Sequence, residues 1–152
     1  MTKHNKHNHQ RYCTAALSMC WAIAAFGCDA EENETQDDSL EIVGTYADEY
    51  DQVYEIGDSA WTISSMDYVS QFDYVTIDND NAFIIAQNSL ENDFSGGLFS
   101  RLDWTFDAEG SLYVCQCAYD AMTPEIAMDC VSDADDLLMG CGGFSWSLLT
   151  PQ

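Results

Sequence analysis

The side chains that perform most enzymatic chemistry are unevenly distributed along this 152-residue chain. His4, His7 and His9 are its only histidines, and beyond residue 28 the only base is Arg101. Ser and Cys triads need a His base, Schiff-base chemistry needs Lys, and most zinc sites use imidazole. Residues 29–152 therefore lack the groups for these mechanisms, and an enzyme made from them would have to resemble a carboxylate-pair hydrolase.

Carboxylates are abundant, with 27 Asp and Glu residues, and some of them occur in runs that could offer oxygen ligands to a cation. Asp78 and Asp80, in the run DNDN, are the best candidates for Ca²⁺. The EF-hand pattern fails there because Ala82 occupies the fifth loop position and no Gly follows. We therefore predict a hairpin turn at 78–81 and a solvated surface at the acidic run 133–136, with no resident metal or other cofactor.

Residues 1–27 have the layout of a signal peptide, with a basic, polar start (MTKHNKHNHQR) and an uncharged apolar stretch that ends at Cys28. This stretch is short for a membrane span, although a retained anchor helix is an alternative. The sequence AFGC at 25–28 resembles a bacterial lipobox, in which the Cys is lipidated on sulfur and becomes the acylated N-terminus. We predict cleavage before Cys28 and a lipid anchor. Cleavage after Gly27 without lipidation, giving a secreted or periplasmic protein, stays open.

The predicted mature chain is strongly acidic, since one base against 27 acids leaves a formal charge of about −26. Nucleic acids and anionic lipid headgroups are bound through Lys and Arg, so both are excluded as partners. Residues 28–40 are acidic and polar with almost nothing to bury, which predicts a solvated, lipid-anchored tether.

Within residues 41–151, the predicted folded domain, apolar side chains alternate with a period of two, which indicates strands. Turn-forming residues separate eight predicted strands, at 41–47, 50–57, 59–65, 71–78, 82–88, 98–106, 111–118 and 143–150. Consecutive hairpins favour an all-β antiparallel meander that closes into a small, lipocalin-like barrel, and a sandwich of the same strands is the alternative. Helical segments are predicted at 125–130, after Pro124, and at 134–139, both before the last strand.

The predicted core is built from large apolar side chains at alternate positions of these strands. It comprises Val43, Tyr46, Val53, Ile56, Trp61, Ile63, Val75, Ile77, Phe83, Ile85, Leu102, Trp104, Leu112, Val114, Phe144 and Trp146.

Four cysteines cluster in the last forty residues, and we predict two disulfides among them. Cys115 and Cys117 are two apart on a predicted strand, so they face the same way and cannot easily bond to each other. Two connectivities remain: Cys115–Cys141 with Cys117–Cys130 nested inside, which we prefer, and 115–130 with 117–141. Cys13 and Cys20 would leave with the signal peptide, so Cys28 is the one cysteine left over, as a lipid anchor would require. A four-thiolate zinc site is the rival, but the C-x-C spacing and export both favour oxidation.

Arg101 shares one face of a predicted strand with Phe99 and Asp103. We expect an ion pair with Asp103 or with a more distant carboxylate, which would close one end of the barrel. The alternative is that Arg101 is a buried anchor for an anionic ligand.

Four segments together resemble a family of short, uncharacterised lipoproteins from Gram-negative bacteria of the myxobacterial type. They are IVGTY at 42–46, SRLDW at 100–104, YVCQ at 113–116 and GCGGFSW at 140–146. The resemblance implies an envelope location and a shared fold, and it brings no catalytic residues. Cys117 and Cys130 lie outside the shared pattern, which favours their pairing with each other.

These features predict a non-catalytic lipoprotein that is exported and anchored to the cell envelope, at the outer membrane. Its domain would bind an envelope protein or a small apolar ligand. A structural, acidic surface protein is one alternative, and a hydrolase with two carboxylates in a groove is another.

The charge excess generates a prediction about salt. Self-repulsion among the acids opposes compaction, and at 0.1 M salt acids closer together than the Debye length of ~10 Å still repel one another, so the melting temperature should rise with ionic strength. NaCl and CaCl₂ at matched ionic strength should act similarly in a thermal-melt series, because divalent cations associate diffusely. A saturating rise with micromolar Ca²⁺ alone would instead identify Asp78 and Asp80, or the run 133–136, as a metal site.

Overall fold

The computed structural model describes residues 39–152, so the predicted signal peptide, Cys28 and most of the tether lie outside the described residues. The chain forms β1 (Gly44–Ala47), β2 (Val53–Ile56), β3 (Ala60–Ser64), β4 (Val69–Asp78), β5 (Phe83–Asn88), β6 (Phe99–Phe106), β7 (Leu112–Ala121), α1 (Pro124–Met128) and β8 (Ser147–Pro151). Each strand pairs antiparallel with the next, and β8 pairs with β1, which closes the barrel. The predicted all-β meander barrel is confirmed, and the sandwich alternative is not what forms.

Aspartates at the ends of strands determine several of the hairpins. Asp48 Oδ1 accepts two backbone N–H groups of the β1–β2 turn, Asp78 Oδ1 accepts the N–H of Asn81 at 2.9 Å, and Asp107 Oδ1 accepts that of Ser111 at 2.8 Å. Such Asx turns satisfy backbone donors that the strand ladders leave free. Hydrogen bonds from the Asn81 side chain and the Ser111 backbone lower the pKa of Asp78 and Asp107, respectively.

The barrel interior is filled by side chains from the inward faces of the strands and from the segment before β1. They are Leu40, Ile42, Tyr54, Ile56, Trp61, Phe72, Ile84, Ala86, Leu102, Trp104, Leu112, Val114 and Leu149. Three predicted core residues are exposed instead: Val43, Val75 and Phe144. Val43 lies next to the inward-facing Ile42, a bulge between Tyr74 and Thr76 expels Val75, and Phe144 belongs to a turn closed by a bridge to Cys141.

One end of the barrel is plugged by the residues that precede β1. Leu40 and Ile42 are buried in the interior, and between them Glu41 Oε1 accepts the indole N–H of Trp104 at 2.7 Å. Asn79, in the β4–β5 turn, accepts the Glu41 N–H at 3.2 Å and donates to the Ser39 carbonyl at 2.9 Å. The ends of β4 and β6 therefore hold this segment in place.

The outer wall of β5, β6 and β7 is covered by α1. A second buried cluster forms there from Phe83, Ile85, Ala121 and Ala127. Thr123 caps the helix by accepting the Ile126 N–H, and Pro124 is its first residue. The helix predicted at 125–130 therefore forms, with bounds Pro124–Met128. Within residues 39–152, no helix is long and apolar enough to cross a membrane.

The prediction of a helix at 134–139 is wrong. Aspartate side chains in this segment accept hydrogen bonds from the backbone N–H groups that a helix would use. Asp136 Oδ1 accepts the N–H groups of Leu138 and Met139, each at 3.1 Å, and Asp133 Oδ1 accepts that of Asp135 at 3.0 Å. The segment forms turns, and the Asp133 carbonyl also accepts the indole N–H of Trp146 at 3.1 Å.

Candidate ligand-binding site

The end of the barrel opposite the plug is open and contains a cavity of about 200 Å³. Its apolar walls are Ile63, Phe72, Leu102 and Val114, and its polar lining includes Tyr54, Ser70, Gln116 and Ser147. These side chains come from β2, β3, β4, β6, β7 and β8. The cavity is therefore the part of the barrel interior that inward side chains leave unfilled.

A hydrogen-bonded chain of uncharged polar side chains lies between the inner faces of β5, β6 and β7. Ser100 Oγ donates to Asn88 Oδ1 at 2.7 Å, and Gln116 Nε2 donates to Ser100 Oγ at 3.0 Å. Asn88 Nδ2 donates to the carbonyls of Ser95 and Tyr119, both at 3.0 Å. Asn88 and Ser100 are 2% and 0% exposed, so these bonds offset the cost of burying them.

Gln116 ends this chain and lines the cavity. Its Nε2 is engaged with Ser100, whereas no donor among residues 39–152 reaches its Oε1. The orientation of the amide is thus fixed by the buried network, and the carbonyl oxygen is left as an acceptor at the cavity wall. Sequence reasoning missed this network, although Asn88, Ser100 and Gln116 share the inward parity of the apolar residues on their strands.

Tyr54 closes part of the cavity near the rim. Its hydroxyl donates to Asp48 Oδ2 at 3.1 Å, and burial, reinforced by the Asp48 charge, raises the pKa of the phenol. Tyr54 is therefore neutral at physiological pH.

The rim of the open end carries only negative formal charge among the described residues. Its acids are Asp48, Glu49, Asp51, Asp67, Glu91, Asp93 and Asp120, which lie in the β1–β2, β3–β4 and β5–β6 loops and near the end of β7. This distribution disfavours the entry of an anion.

Arg101 and Asp103 form the expected ion pair, but it lies on the outer wall under α1 and closes neither end of the barrel. Arg101 Nε and Nη2 donate to Asp103 Oδ1 at 3.0 and 2.8 Å, and Nη1 donates to the Met128 carbonyl at 2.9 Å. The guanidinium also stacks 4.2 Å from the ring centroid of Phe83. Since all three nitrogens already donate, the structure does not support Arg101 as an anchor for an anionic ligand.

The other predicted site residues have structural positions. Disulfides join Cys115 to Cys141 and Cys117 to Cys130, which is the nested one of the two connectivities left open by the sequence. Both disulfides lie on the outer face of β7. Asp78 stabilises the β4–β5 turn through its hydrogen bond from Asn81, and Asp80 lies within that turn. Within residues 39–152, no group of three or more His, Cys, Asp or Glu side chains could hold a metal ion.

The carboxylate-pair alternative requires an acid with a raised pKa in a groove. Burial raises the pKa of Asp103, with Arg101 opposing that shift, but Asp103 lies on the outer wall and lines neither the cavity nor the rim. No protein-family model matches the chain, and neither does any curated protein or solved structure. The function of the barrel must therefore be inferred from its geometry.

The Arg101–Asp103 pair generates a prediction about stability. The side chains are 14% and 5% exposed, so Arg101→Met leaves a buried carboxylate without its cation and should cost about 3 kcal/mol at pH 7 in urea unfolding. The double variant R101M/D103L should regain most of this loss, because both polar partners are then removed.

The same pair predicts a pH dependence. The raised pKa of Asp103 means that its favourable contribution to folding is present at low pH and is lost as the pH rises through the folded-state pKa. Removing Arg101 raises that pKa further, so the deficit of Arg101→Met relative to wild type should be larger at pH 7 than at pH 4. Equal deficits at both pH values would contradict the assignment.

Proposed function

We propose that this protein is an exported, lipid-anchored envelope protein whose barrel binds a small, uncharged molecule at its open end. The observation that carries the proposal is the cavity between the apolar walls of Phe72, Leu102 and Val114 and the fixed amide of Gln116. An apolar pocket with a few oriented polar groups is the usual form of a small-molecule site.

The lining favours one class of ligand. Gln116 Oε1 would accept a hydrogen bond from an amide or hydroxyl group, and the hydrocarbon part would lie against Phe72, Leu102 and Val114. A volume of about 200 Å³ is below the ~300–1,000 Å³ of pockets for drug-sized molecules. The ligand is therefore a short amphiphile, or a longer one that inserts one end.

The open cavity supports binding over the alternative of a purely structural acidic protein, which would need no unfilled interior. Export is supported by the two disulfides, since such bonds persist in oxidising compartments. The lipobox-like AFGC and the acidic tether supply the anchor in this proposal, with the domain held off an outer-membrane surface.

Hexanamide and hexanoate, which differ in head group but not in chain length, test the ligand class by calorimetry. Hexanamide should bind with a Kd of about 1 mM, as expected for so small a ligand, whereas hexanoate should bind at least tenfold more weakly because no cation lies at the site.

A pair of neighbouring substitutions locates the binding. Ser147→Phe extends into the cavity from β8 and should abolish hexanamide binding, whereas Leu148→Phe, on the opposite face of the strand, should preserve it. Melting temperatures of both variants serve as the folding control. Equal affinity in the two variants would place the ligand elsewhere and overturn the proposal.

The anchor is tested separately. Cys28→Ala should move the protein from the membrane fraction to the soluble fraction, and mass spectrometry of the wild-type N-terminus should show an acylated Cys28. An unmodified Cys28, or a variant that stays in the membrane fraction, would overturn the lipid anchor, and the second result would favour the retained anchor helix instead.

A further inference from the structure

We propose that a second site beside the cavity binds an organic cation of the methylated-ammonium class. This aromatic groove, of about 360 Å³, adjoins the cavity and is lined by Tyr68, Phe72, Phe94 and Tyr119, together with Asp93. The inference goes beyond the proposed function, because it assigns a ligand of different chemistry to a different part of the open end.

Four rings from three segments of the chain line this groove, and Phe72 is shared with the cavity. Tyr68 directly precedes β4, Phe72 lies on β4, Phe94 belongs to the β5–β6 loop and Tyr119 lies on β7. Phe94 and Tyr119 are 84% and 61% exposed, so most of their surface makes no contact with the barrel. Aromatic rings around a cleft are the side chains that recognise methylated ammonium groups, through attraction of the cation to the ring faces.

The electrostatics of the groove favour a cation. Asp93 contributes a carboxylate to its lining, and the surrounding rim is acidic. Arg101 is the only base within the described residues, and its guanidinium is bound to Asp103 and Met128 on the outer wall. No positive side chain from residues 39–152 therefore competes for the rings or for Asp93.

The chemistry of the lining also distinguishes an organic cation from a metal ion. A metal ion needs several converging oxygen ligands, whereas Asn88 is committed to its buried network and Asp93 is the only carboxylate lining the groove. A methylated ammonium is weakly hydrated and distributes its charge over methyl groups that can contact rings, so it fits the lining that is present.

The loop that carries Phe94 and Asp93 is held in position by the barrel. Gln71 donates its N–H to Asn92 Oδ1 at 2.8 Å, and Asn92 Nδ2 donates to the Gln71 carbonyl at 2.9 Å. The Asn88 side chain bonds the Ser95 carbonyl on the other side of Phe94. These bonds preorganise the groove and lower the ordering cost of binding.

Calorimetric titrations of the purified protein with choline and with its neutral isostere, 3,3-dimethyl-1-butanol, test the proposal. Choline should bind at least tenfold more tightly than the isostere. Phe94→Leu and Tyr119→Leu should each weaken choline binding by about fivefold, whereas Tyr50→Leu, an exposed aromatic of another loop at the same end, should have no effect. Asp93→Asn should weaken binding and reduce its salt dependence.

Several results would overturn the inference. Equal affinity for choline and its isostere would mean that the groove recognises only apolar shape, and equal affinity for choline and ammonium would mean a diffuse acidic surface. Ser147→Phe should leave choline binding intact, so failure of hexanamide binding and failure of choline binding are separate outcomes.

The source of the ammonium group can be assigned with Cys28→Ala protein, which lacks the proposed anchor. Co-sedimentation with phosphatidylcholine vesicles that is weakened in Phe94→Leu to the same extent as choline binding would identify a lipid headgroup. Choline binding without co-sedimentation would identify a free solute, and both results support the groove as a cation site.

Discussion

An eight-stranded barrel encloses little more space than its own inward side chains occupy. In this protein, the inward side chains fill one end of that space and leave the other end partly empty. Leu40 and Ile42 enter the interior before β1 begins, and the hydrogen bond from Trp104 to Glu41 holds them there. The unfilled volume is therefore at the opposite end, where several polar side chains line the wall. The location of the candidate site follows from this unequal filling.

The helix and the disulfides lie on the outer wall and do not cover the open end. Helix α1 packs on β5, β6 and β7. It is held there by the Cys117–Cys130 disulfide and by Arg101, whose charge is paired with Asp103 on the same wall. The remaining formal charge of the described residues is negative, and the rim loops carry much of it together with exposed aromatic rings. A neutral ligand within the cavity and an organic cation in the aromatic groove are both compatible with such a surface.

The eight strands and the short helix after Pro124 were predictable because alternation and turn residues are local properties of the sequence. Closure into a barrel was favoured only by the need to hide the sheet edges, with a sandwich as the alternative. Errors arose where long-range geometry changes that alternation: the bulge that expels Val75, and the plug, in which Ile42 replaces Val43 as the buried residue. The polar network of Asn88, Ser100 and Gln116 could have been predicted, because these residues occupy inward-facing positions on their strands. The convergence of Phe94 and Tyr119 could not, because it depends on how a loop is tied to Gln71 across the sheet.

The central claim is that the unplugged end of the barrel receives the ligand, and an NMR titration of ¹⁵N-labelled protein with hexanamide tests it most directly. The account predicts saturable shifts of the Gln116 side-chain amide and the Ser147 backbone amide, with the Trp104 indole N–H unmoved at the plugged end. Shifts centred on the Trp104 indole, or scattered over the outer wall while the Gln116 amide stays unchanged, would contradict it.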